Sequence, residues 1–593
     1  MHEEEVLGKA YDSKLMRQLL AYLQPYKAFV ATAVILLLGA SLLELAGPFL
    51  IKIAIDDYIA RGDFHGLQLI AALYFVILIF SFVLQFSQTY LINWIGQKAM
   101  YDMRSKLFSH VQNLSLRFFD KNPVGRLVTR ITTDIESLHQ MLSSGAVAIF
   151  GDIFTLAGIV VVLLYFNWEL ALITFSVVPL LFYATFLFKK KVRDNYRNIR
   201  VRIARINAFL QENITGMSVV QIFNRENRNF QKFDRLNQAH LESYLTTIFY
   251  YALFYPGVKL ISSLAVALII WYGGGRIIQG TLTLGALVLF IQYAERFFRP
   301  IMDLSEKYNI MQSAMASSER IFRLLEKKPE VSSIGEHKVL RKVRGEIEFR
   351  DVWFSYNRND YVLKGVSFHV NPGEKVAFVG ATGAGKTTIM NLLLRFYEIE
   401  KGEILLDGVN VKELDLHFLR QQFSVVLQDI FIFDGTVADN IRLGNRDIAD
   451  ARIKQSAEDV HALKFIQKLP RQFQEEVQER GRSLSVGQRQ LLAFARALAF
   501  DPAVLILDEA TSSVDTETEI LIQDALHRLM QGRTSIVVAH RLSTIQNSDR
   551  IIVLHKGEIR EIGTHQQLLA QGGIYYKLYQ LQYAEQELQR QWI

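Results

Sequence analysis

The stretch "VGATGAGKTT", residues 379–388, decides the fold of the second half of the chain. From Gly380 to Thr387 it has the spacing G-x-x-x-x-G-K-T, in which glycines let successive N–H groups point at phosphate oxygens. Lys386 would reach the β and γ phosphates, and the Thr387 hydroxyl would hold Mg²⁺. The apolar run before the loop predicts a buried strand, and the residues after it predict a helix whose positive end faces the anion. The stretch therefore predicts an α/β nucleotide-binding domain, with a chance match as the alternative.

The composition explains what else the chain must contain. Half of the 593 residues are apolar, cysteine is absent, and the formal net charge is +7. The lack of cysteine excludes disulfides, thiolate metal sites and a cysteine nucleophile. A net positive charge is compatible with binding to nucleic acid, with binding to anionic lipid or with basic cytoplasmic loops. The positions of the charged residues in the sequence decide between these alternatives.

The apolar residues are concentrated in runs that are long enough to cross a bilayer. We predict six spans, at about 28–52, 67–92, 144–166, 168–188, 247–272 and 280–304. The two long connections, 93–143 and 189–246, are rich in Lys and Arg, whereas the other connections are short and nearly free of basic residues. The positive-inside rule places both long connections and both termini in the cytoplasm. The basic balance thus reflects topology in the cytoplasmic membrane, and we expect no nucleic-acid binding. The first 15 residues are polar and acidic, which does not favour a cleavable signal peptide.

The two long connections carry apolar residues at helical spacing, interrupted at "DKNPVGR" and "ITGMS". We predict that the membrane helices continue into the cytoplasm and break at these points. Two soluble helical hairpins on the membrane face are the alternative. The predicted domains are a transmembrane domain over 1–328, a linker over 329–344, a nucleotide-binding domain over 345–580 and a helical tail over 581–593.

Two further strands of the second domain end in polar residues. In "VLILDEAT", residues 504–511, Asp508 would hold Mg²⁺ opposite Thr387, and Glu509 would polarise a water molecule as general base. Adjacent acidic residues are also common at helix N-termini, which is the structural alternative. In "SIVVAHRLST", His540 follows another apolar strand; alone it would more often be a structural histidine.

In this order the motifs resemble those of ATP-binding cassette exporters, specifically half-transporters with six spans and one cassette. The glutamine loop of that family matches Gln428 in "VVLQDIFIF", the signature matches Leu484–Gln488, and "FFDKNPVGRL" and "ITGMSVVQIF" match the coupling helices. The resemblance implies ATP and Mg²⁺ as ligands. The implied ATP-binding residues are Tyr356, Gly380, Thr382, Gly383, Ala384, Gly385, Lys386, Thr387, Thr388, Ser485, Gly487 and Gln488. The implied catalytic residues are Glu509, His540 and Gln428, and the implied Mg²⁺ ligands are Thr387, Gln428 and Asp508.

The signature departs from the family's usual L-S-G-G-Q at Val486, which replaces the first glycine. In the family, this segment closes on ATP bound to the opposite cassette. We expect the branched side chain to crowd the backbone and to disfavour a positive φ. A fully working site is the alternative. An intact Glu509 beside an imperfect signature resembles one chain of heterodimeric exporters, so a heterodimer is favoured over a homodimer.

Polar residues within the predicted spans bear on the cargo, because such groups usually face a partner or a cavity. They are Glu44, Gln85, Gln88, Asp152, Glu295, Arg296 and Arg299. Structural pairing is favoured over contact with a substrate. The resemblance implies ATP-driven export of amphipathic or hydrophobic compounds, with lipid flipping or regulation of another membrane protein as alternatives. A regulator needs ATP binding alone, so complete catalytic residues argue against it. The spans exclude a soluble DNA-repair ATPase.

Overall fold

The computed structural model describes residues 12–331, 340, 342–357, 360–508, 516–538 and 542–582. Within these ranges the chain divides into two compact units. The first unit contains the described residues up to Gln112 and then Val124–Lys327. The second contains Asn113–Pro123 together with the described residues from Lys328 onward. A short segment that interrupts the first unit therefore belongs to the second.

The region before the first strand is helical. Its helices are α1 Ser13–Ala21, α2 Lys27–Ile53, α3 Phe64–Gln112, α4 Leu116–Lys121, α5 Val124–Thr129, α6 Ile135–Gln140, α7 Val147–Phe166, α8 Trp168–Phe175, α9 Val178–Thr215, α10 Met217–Ile222, α11 Glu226–Ile278 and α12 Leu284–Leu325. Wide π-helical turns join α5, α6 and α7, so this stretch is one helical run over Val124–Phe166. The 49-residue α3 and the 53-residue α11 each continue without a break beyond the predicted apolar spans.

Five helical runs among the described residues are long and apolar enough to cross a membrane. They are Gln24–Ile59, Phe64–Gln112, Val124–Phe166, Trp168–Thr215 and Glu226–Ile278. The predicted sixth span falls mostly within α12, which is not among these five, so the number of six remains a prediction. The break between the third and fourth runs is a single residue, Asn167, in extended conformation. Its side chain accepts a hydrogen bond from the N–H of Leu170 and caps the next helix.

The first unit is held together by aromatic packing and by paired polar groups. Phe290, Tyr293 and Phe298 of α12 are almost fully buried and pack in one cluster with α7, α8 and α11. Asp152 forms an ion pair with Lys307. Asp134, which is buried, accepts hydrogen bonds from Arg320 at 2.9 Å and from the Ser317 hydroxyl at 3.0 Å. Pairing of this kind offsets much of the cost of burying a charge.

The second unit is built on three sheets. Its strands are β1 Ile347–Ser355, β2 Tyr361–Val370, β3 Lys375–Val379, β4 Lys401–Leu406, β5 Val409–Asn410, β6 Phe423–Val426, β7 Gly435–Thr436, β8 Glu476–Val477, β9 Val504–Asp508, β10 Thr534–Val538, β11 Arg550–His555 and β12 Glu558–Gly563. The largest sheet has the order β12-β11-β3-β10-β9-β6, and the five strands from β11 to β6 are parallel. A second sheet has the order β2-β1-β4-β5, and β7 pairs with β8.

The helices of the second unit follow its strands and cover the parallel sheet. They are α13 Lys386–Leu393, α14 Leu416–Gln421, α15 Val437–Arg442, α16 Asp450–Asp459, α17 Leu463–Ile466, α18 Val486–Ala499, α19 Thr516–Met530, α20 Leu542–Gln546, α21 His565–Gln571 and α22 Ile574–Gln582. Alternate residues of β9 enter different cores. Leu505 and Leu507 pack with α18, whereas Val504 and Ile506 pack with α13 and the antiparallel sheet. Both faces of the parallel sheet are thus buried, as parallel sheets require.

Candidate nucleotide-binding site

The strand register brings the sequence motifs to one edge of the parallel sheet. Val538 of β10 lies beside Phe378 of β3 on one side and beside Asp508 of β9 on the other. Val426, at the end of β6, lies beside Leu507. The phosphate-binding loop, Asp508 and the loop of Gln428 therefore all follow the carboxyl ends of adjacent strands, where open α/β sheets bind their ligands.

The phosphate-binding loop depends on glycine for two different reasons. Gly383 and Gly385 have φ values of 82° and 106°, in the left-handed region that favours glycine. Gly380 leaves room for a neighbouring strand, because a Cβ atom there would lie 2.3 Å from the carbonyl oxygen of Leu554. Gly385 also caps α13, whose first residue is Lys386. The loop and the helix terminus thus form the local structure that the sequence predicts.

Lys386 is the main positive charge of the loop. Its side chain is mostly buried, and its ammonium group donates hydrogen bonds to the carbonyl oxygens of Gly380 at 2.6 Å and Ala381 at 3.2 Å. Burial lowers the pKa of Lys386, and the carboxylate of Asp508 acts in the opposite direction. A phosphate group beside this ammonium would likewise favour its charged form.

The remaining predicted residues of the loop divide into two groups. Thr382, Gly383 and Thr387 are exposed at the mouth of the loop, where a ligand could reach them. Ala384 and Thr388 are buried. The Thr388 hydroxyl lies 3.3 Å from the hydroxyl of Tyr356, the residue predicted to stack on adenine. Thr388 is therefore placed to position Tyr356, in addition to any contact that its backbone makes with phosphate.

The donor set at this edge suits Mg²⁺. The residues predicted to hold the ion offer a hydroxyl from Thr387, a carboxylate from Asp508 and an amide oxygen from Gln428, which are the hard oxygen ligands that Mg²⁺ prefers. In the described ranges no group of three or more His, Asp or Glu side chains could hold a metal. One carboxylate is enough for an ion that takes its other ligands from phosphates and water. When bound, Mg²⁺ would neutralise charge on the phosphates.

The signature segment forms the start of α18, and it corrects one expectation. Ser485 caps this helix: its hydroxyl accepts from the N–H of Gln488 at 3.2 Å, and the Gln488 side chain accepts from the N–H of Ser485 at 3.0 Å. Val486 is the first helical residue and does not have a positive φ. The expected conflict between valine and backbone conformation was therefore wrong. Gly487 is buried behind it, whereas the Val486 side chain is 38% exposed at the helix terminus.

Two of the predicted catalytic residues cannot be placed. Glu509 and His540 lie outside the described residues, although the strands that precede them, β9 and β10, end side by side. Gln428 is exposed directly after β6. The roles assigned to these three residues remain predictions.

The sequence did not point to a set of contacts around the predicted adenine-binding tyrosine. The Tyr397 ring lies edge-on to the Tyr356 ring, with centroids 5.1 Å apart. The Tyr397 hydroxyl donates to the Asp120 carboxylate at 2.6 Å, and Arg117 donates to the backbone carbonyl of Tyr356 at 2.8 Å. Asp120 and Arg117 belong to α4, within the segment that joins the second unit. The segment predicted as the first coupling helix thus contacts Tyr356 both directly and through Tyr397.

The chemistry of these contacts favours a fixed arrangement. Burial raises the pKa of Tyr397 well above its ordinary value, and the hydrogen bond to Asp120 raises it further. The phenol therefore stays protonated and acts as a donor to the carboxylate, which is the stronger kind of hydrogen bond. No signal in the local sequence marks this pair, because its members lie 277 positions apart.

Comparisons with known proteins identify the family. Residues 30–301 match the family described as the ABC transporter transmembrane region, and residues 363–512 match the family described as ABC transporter. The chain is an ABC exporter half-transporter. Like other members, it couples ATP hydrolysis to transport across a membrane. The helical transmembrane domain and the α/β nucleotide-binding domain of this exporter confirm the predicted fold class.

Several relatives cover nearly the whole exporter. An uncharacterized ABC transporter ATP-binding protein, YknV of Bacillus subtilis, is 41% identical over 98% of this chain and 96% of its own length. An ATP-dependent lipid A-core flippase of Syntrophus aciditrophicus is 37% identical over 97% of this chain and 95% of its own length. The structure of a bacterial Atm1-family ABC exporter with ATP bound is 29% identical, covers 94% of this chain and 98% of its own, and superposes with a TM-score of 0.78.

The contact between Tyr397 and Asp120 leads to a prediction about ATP affinity. We expect Tyr397→Phe to raise the KM for ATP by roughly threefold to tenfold, the range for one lost hydrogen bond. The maximal rate should change less, because no reacting group is removed. Asp120→Asn should have a similar effect, and the double variant should be no worse than either single one, which a double-mutant cycle measures. Steady-state ATPase assays of the purified exporter provide both quantities.

Tyr361→Phe is the matched control for this experiment. Its hydroxyl also bonds to a carboxylate, that of Glu400, on the same unit, but its ring packs against Trp353. This variant should leave the KM unchanged. Fully additive effects of Tyr397→Phe and Asp120→Asn on the KM would contradict the conclusion that these two residues act through one hydrogen bond.

Proposed function

We propose that the exporter moves hydrophobic or amphipathic compounds out of the cytoplasmic membrane as a dimer that encloses a water-filled cavity. Support comes from two charged groups inside the spans. Glu44 of α2 and Glu295 of α12 are both exposed in the single chain. At 1.5 Å per residue, they lie about 25 Å and about 17 Å from the starts of their helices. A carboxylate at that depth is too costly to face lipid, so it faces a partner or water.

The two carboxylates lie on adjacent helices. Arg296, next to Glu295, donates to the backbone carbonyl of Glu44, and the Tyr293 hydroxyl donates to the carbonyl of Leu45. Arg296 is therefore engaged by backbone, and Lys307 is engaged by Asp152. The exposed side chains of α2 beside Glu44 are mostly apolar. Such a wall suits an amphipathic cargo better than an ion or a sugar, which would require many polar partners.

A second chain is also favoured by the short helix α10, which matches the family's second coupling helix. Its exposed apolar side chains, with the residue that follows it, are Met217, Val219, Ile222 and Phe223. The last two are 73% and 66% exposed. A contiguous apolar surface of this kind marks a protein interaction site. The coupling role of α4 and α10 rests on the resemblance.

Val486 supports a heterodimer over a homodimer. Its side chain is exposed at the N-terminus of α18, the helix end that in this family faces ATP of the opposite cassette. A homodimer would place this valine over both ATP sites. A partner with a glycine at this position would leave Glu509 of the present chain opposite a standard signature.

ATP hydrolysis by the chain expressed alone tests the heterodimer. We expect weak activity that rises when a second half-transporter from the same genome is co-expressed. Val486→Gly in the lone chain should raise the rate, because it removes the exposed side chain from the helix terminus. Ser548→Gly, at a half-buried position in the same unit whose hydroxyl donates to the carbonyl of Thr544, controls for a general effect of added glycine. Strong cooperative hydrolysis by the lone chain, unaltered by Val486→Gly, would refute the heterodimer.

The absence of cysteine allows the cavity to be tested directly. A cysteine in place of Glu295 should react with a charged, membrane-impermeant thiol reagent added from the cytoplasmic side, because thiolate formation needs water. In a Glu509→Gln background, which should slow hydrolysis by about 10²-fold, added ATP should decrease this labelling rate several-fold. Phe82→Cys, at a 69% exposed position that we expect to face lipid, is the control and should stay unlabelled. Labelling of Glu295→Cys that is absent, or equal with and without ATP, would overturn the proposal.

A further inference from the structure

An apolar cleft lies in the first unit, between α2, α3 and α7. Six of the residues that line it are Val30, Ala33, Ile92, Ile95, Gly96 and Val147. Its volume is about 70 Å³. A buried water needs about 10–15 Å³ of such space and two to four polar partners. This cleft has room for more than one water, but its lining side chains are all apolar. It therefore favours an apolar guest.

The predicted spans place the cleft at the cytoplasmic surface of the bilayer. Its lining spans the start of the first predicted span, near residue 28, and the end of the second, near residue 92. Aromatic rings that are typical of this boundary stand beside it. Trp94 packs against Ile92 and Ile95, with its ring 6.1 Å from that of Tyr26 and 5.1 Å from that of Phe29. Val34, another lining residue, is 47% exposed, so the cleft reaches the surface of the chain.

Positive charge flanks the cleft on two helices. Lys27 precedes Val30 by three positions, and Lys98 follows Ile95 by three, so each lysine shares a helix face with a lining residue. Both lysines are exposed. The Lys98 ammonium lies 5.9 Å from the Trp94 ring centroid. Asp102, one turn beyond Lys98, accepts a hydrogen bond from the Tyr26 hydroxyl at 2.8 Å.

Glycine at position 96 allows tight helix packing at the back of the cleft. A Cβ atom at Gly96 would lie 2.8 Å from the ring of His139, which is 8% exposed. Glycine thus lets the helix that carries His139 approach α3 closely. The cleft is a gap left within close helix packing, with a basic rim at the membrane surface.

We propose that this cleft holds one acyl chain of an anionic phospholipid of the cytoplasmic leaflet, whose phosphate contacts Lys27 and Lys98. The apolar lining matches the chain, and the two exposed ammonium groups match the phosphate. This lipid is a resident ligand and not cargo, because the exposed carboxylates Glu44 and Glu295 of the proposed transport cavity would repel its charge. This distinction from cargo rests on the proposed function, whereas the binding of the lipid at the cleft does not.

Quenching of Trp94 fluorescence by brominated lipids tests the site. The full chain, with its other four tryptophans changed to phenylalanine, is reconstituted in phosphatidylcholine vesicles. Brominated phosphatidylglycerol and brominated phosphatidylcholine with identical chains are then titrated separately. Because each interfacial lysine favours an anionic lipid by roughly fivefold, half-maximal quenching should need at least fivefold less of the anionic lipid. The Trp94 fluorescence of each variant is normalised to its emission without brominated lipid.

Two sets of variants separate the site from ordinary lipid contact. Lys27→Gln with Lys98→Gln should bring the ratio of the two lipids to about one. Ala33→Phe should fill the cleft and abolish quenching at low fractions of the anionic lipid. If the Ala33→Phe protein does not insert into the membrane, Val34→Phe, at the mouth of the cleft, replaces it in the same test. Ile35→Phe, at a 68% exposed position, and Lys190→Gln with Lys191→Gln are the matched controls and should behave as the parent.

Three results would overturn the proposal. Equal half-quenching fractions for the two lipids would show general contact with the bilayer. An anionic preference that survives both Ala33→Phe and Val34→Phe would place the lipid outside the cleft. No quenching by either lipid, even in fully brominated vesicles, would show that a second chain covers this face.

Discussion

The hydrogen bond between Tyr397 and Asp120 is the constraint on which the functional reading of this exporter depends. Asp120 lies on a short segment, Asn113–Pro123, that leaves the membrane unit after Gln112 and returns to it at Val124. The same segment reaches the backbone of Tyr356 through Arg117. The segment is continuous in sequence with α3 on one side and with the helical run that starts at Val124 on the other. We therefore predict that ATP binding at Tyr356 is sensed by this segment through the Tyr397 phenol and the Arg117 guanidinium group.

The sequence predicted best what depends on local chemistry. The glycines of the phosphate-binding loop, the helix from Lys386 and the strand that ends at Asp508 follow from residue types at short spacing, and the structure contains them. The long helices were also predictable, because the bilayer requires continuous backbone hydrogen bonding and few turn residues interrupt them. The prediction that these motifs form one site depended on the family resemblance. The strand order of the parallel sheet explains how the motifs come to lie at the same edge.

What the sequence missed depends on contacts between distant positions. Nothing near Tyr397 distinguishes it from a core tyrosine, and its role appears only when Asp120 lies beside it. The prediction about the backbone at Val486 was wrong for a different reason. The expectation assumed that glycine in the signature serves a positive φ, whereas the residue starts a helix in which valine is sterically allowed. The effect that we expect of Val486 therefore comes from its exposed side chain. Glu509 and His540 lie outside the described residues, so their roles still rest on sequence order.

The membrane unit shows how charge is managed within apolar helices. Asp152 and Asp134 are paired with Lys307 and Arg320, and these pairs are structural. Glu44 and Glu295 are exposed, which is tolerable in a membrane only where water or a second chain covers them. The contrast separates polar groups that hold helices together from the two carboxylates that we propose to face a transport cavity.

We propose that the exporter uses ATP hydrolysis to move an amphipathic compound across the membrane. The most direct test is uptake of a fluorescent amphiphile into inside-out vesicles that contain the exporter, compared with the Glu509→Gln variant at equal protein content. The amphiphile should accumulate against a gradient only when hydrolysable ATP is present, and this accumulation should be lost in the variant. Normal ATP hydrolysis without accumulation of any amphiphile or labelled lipid would contradict it and would favour a regulatory membrane ATPase.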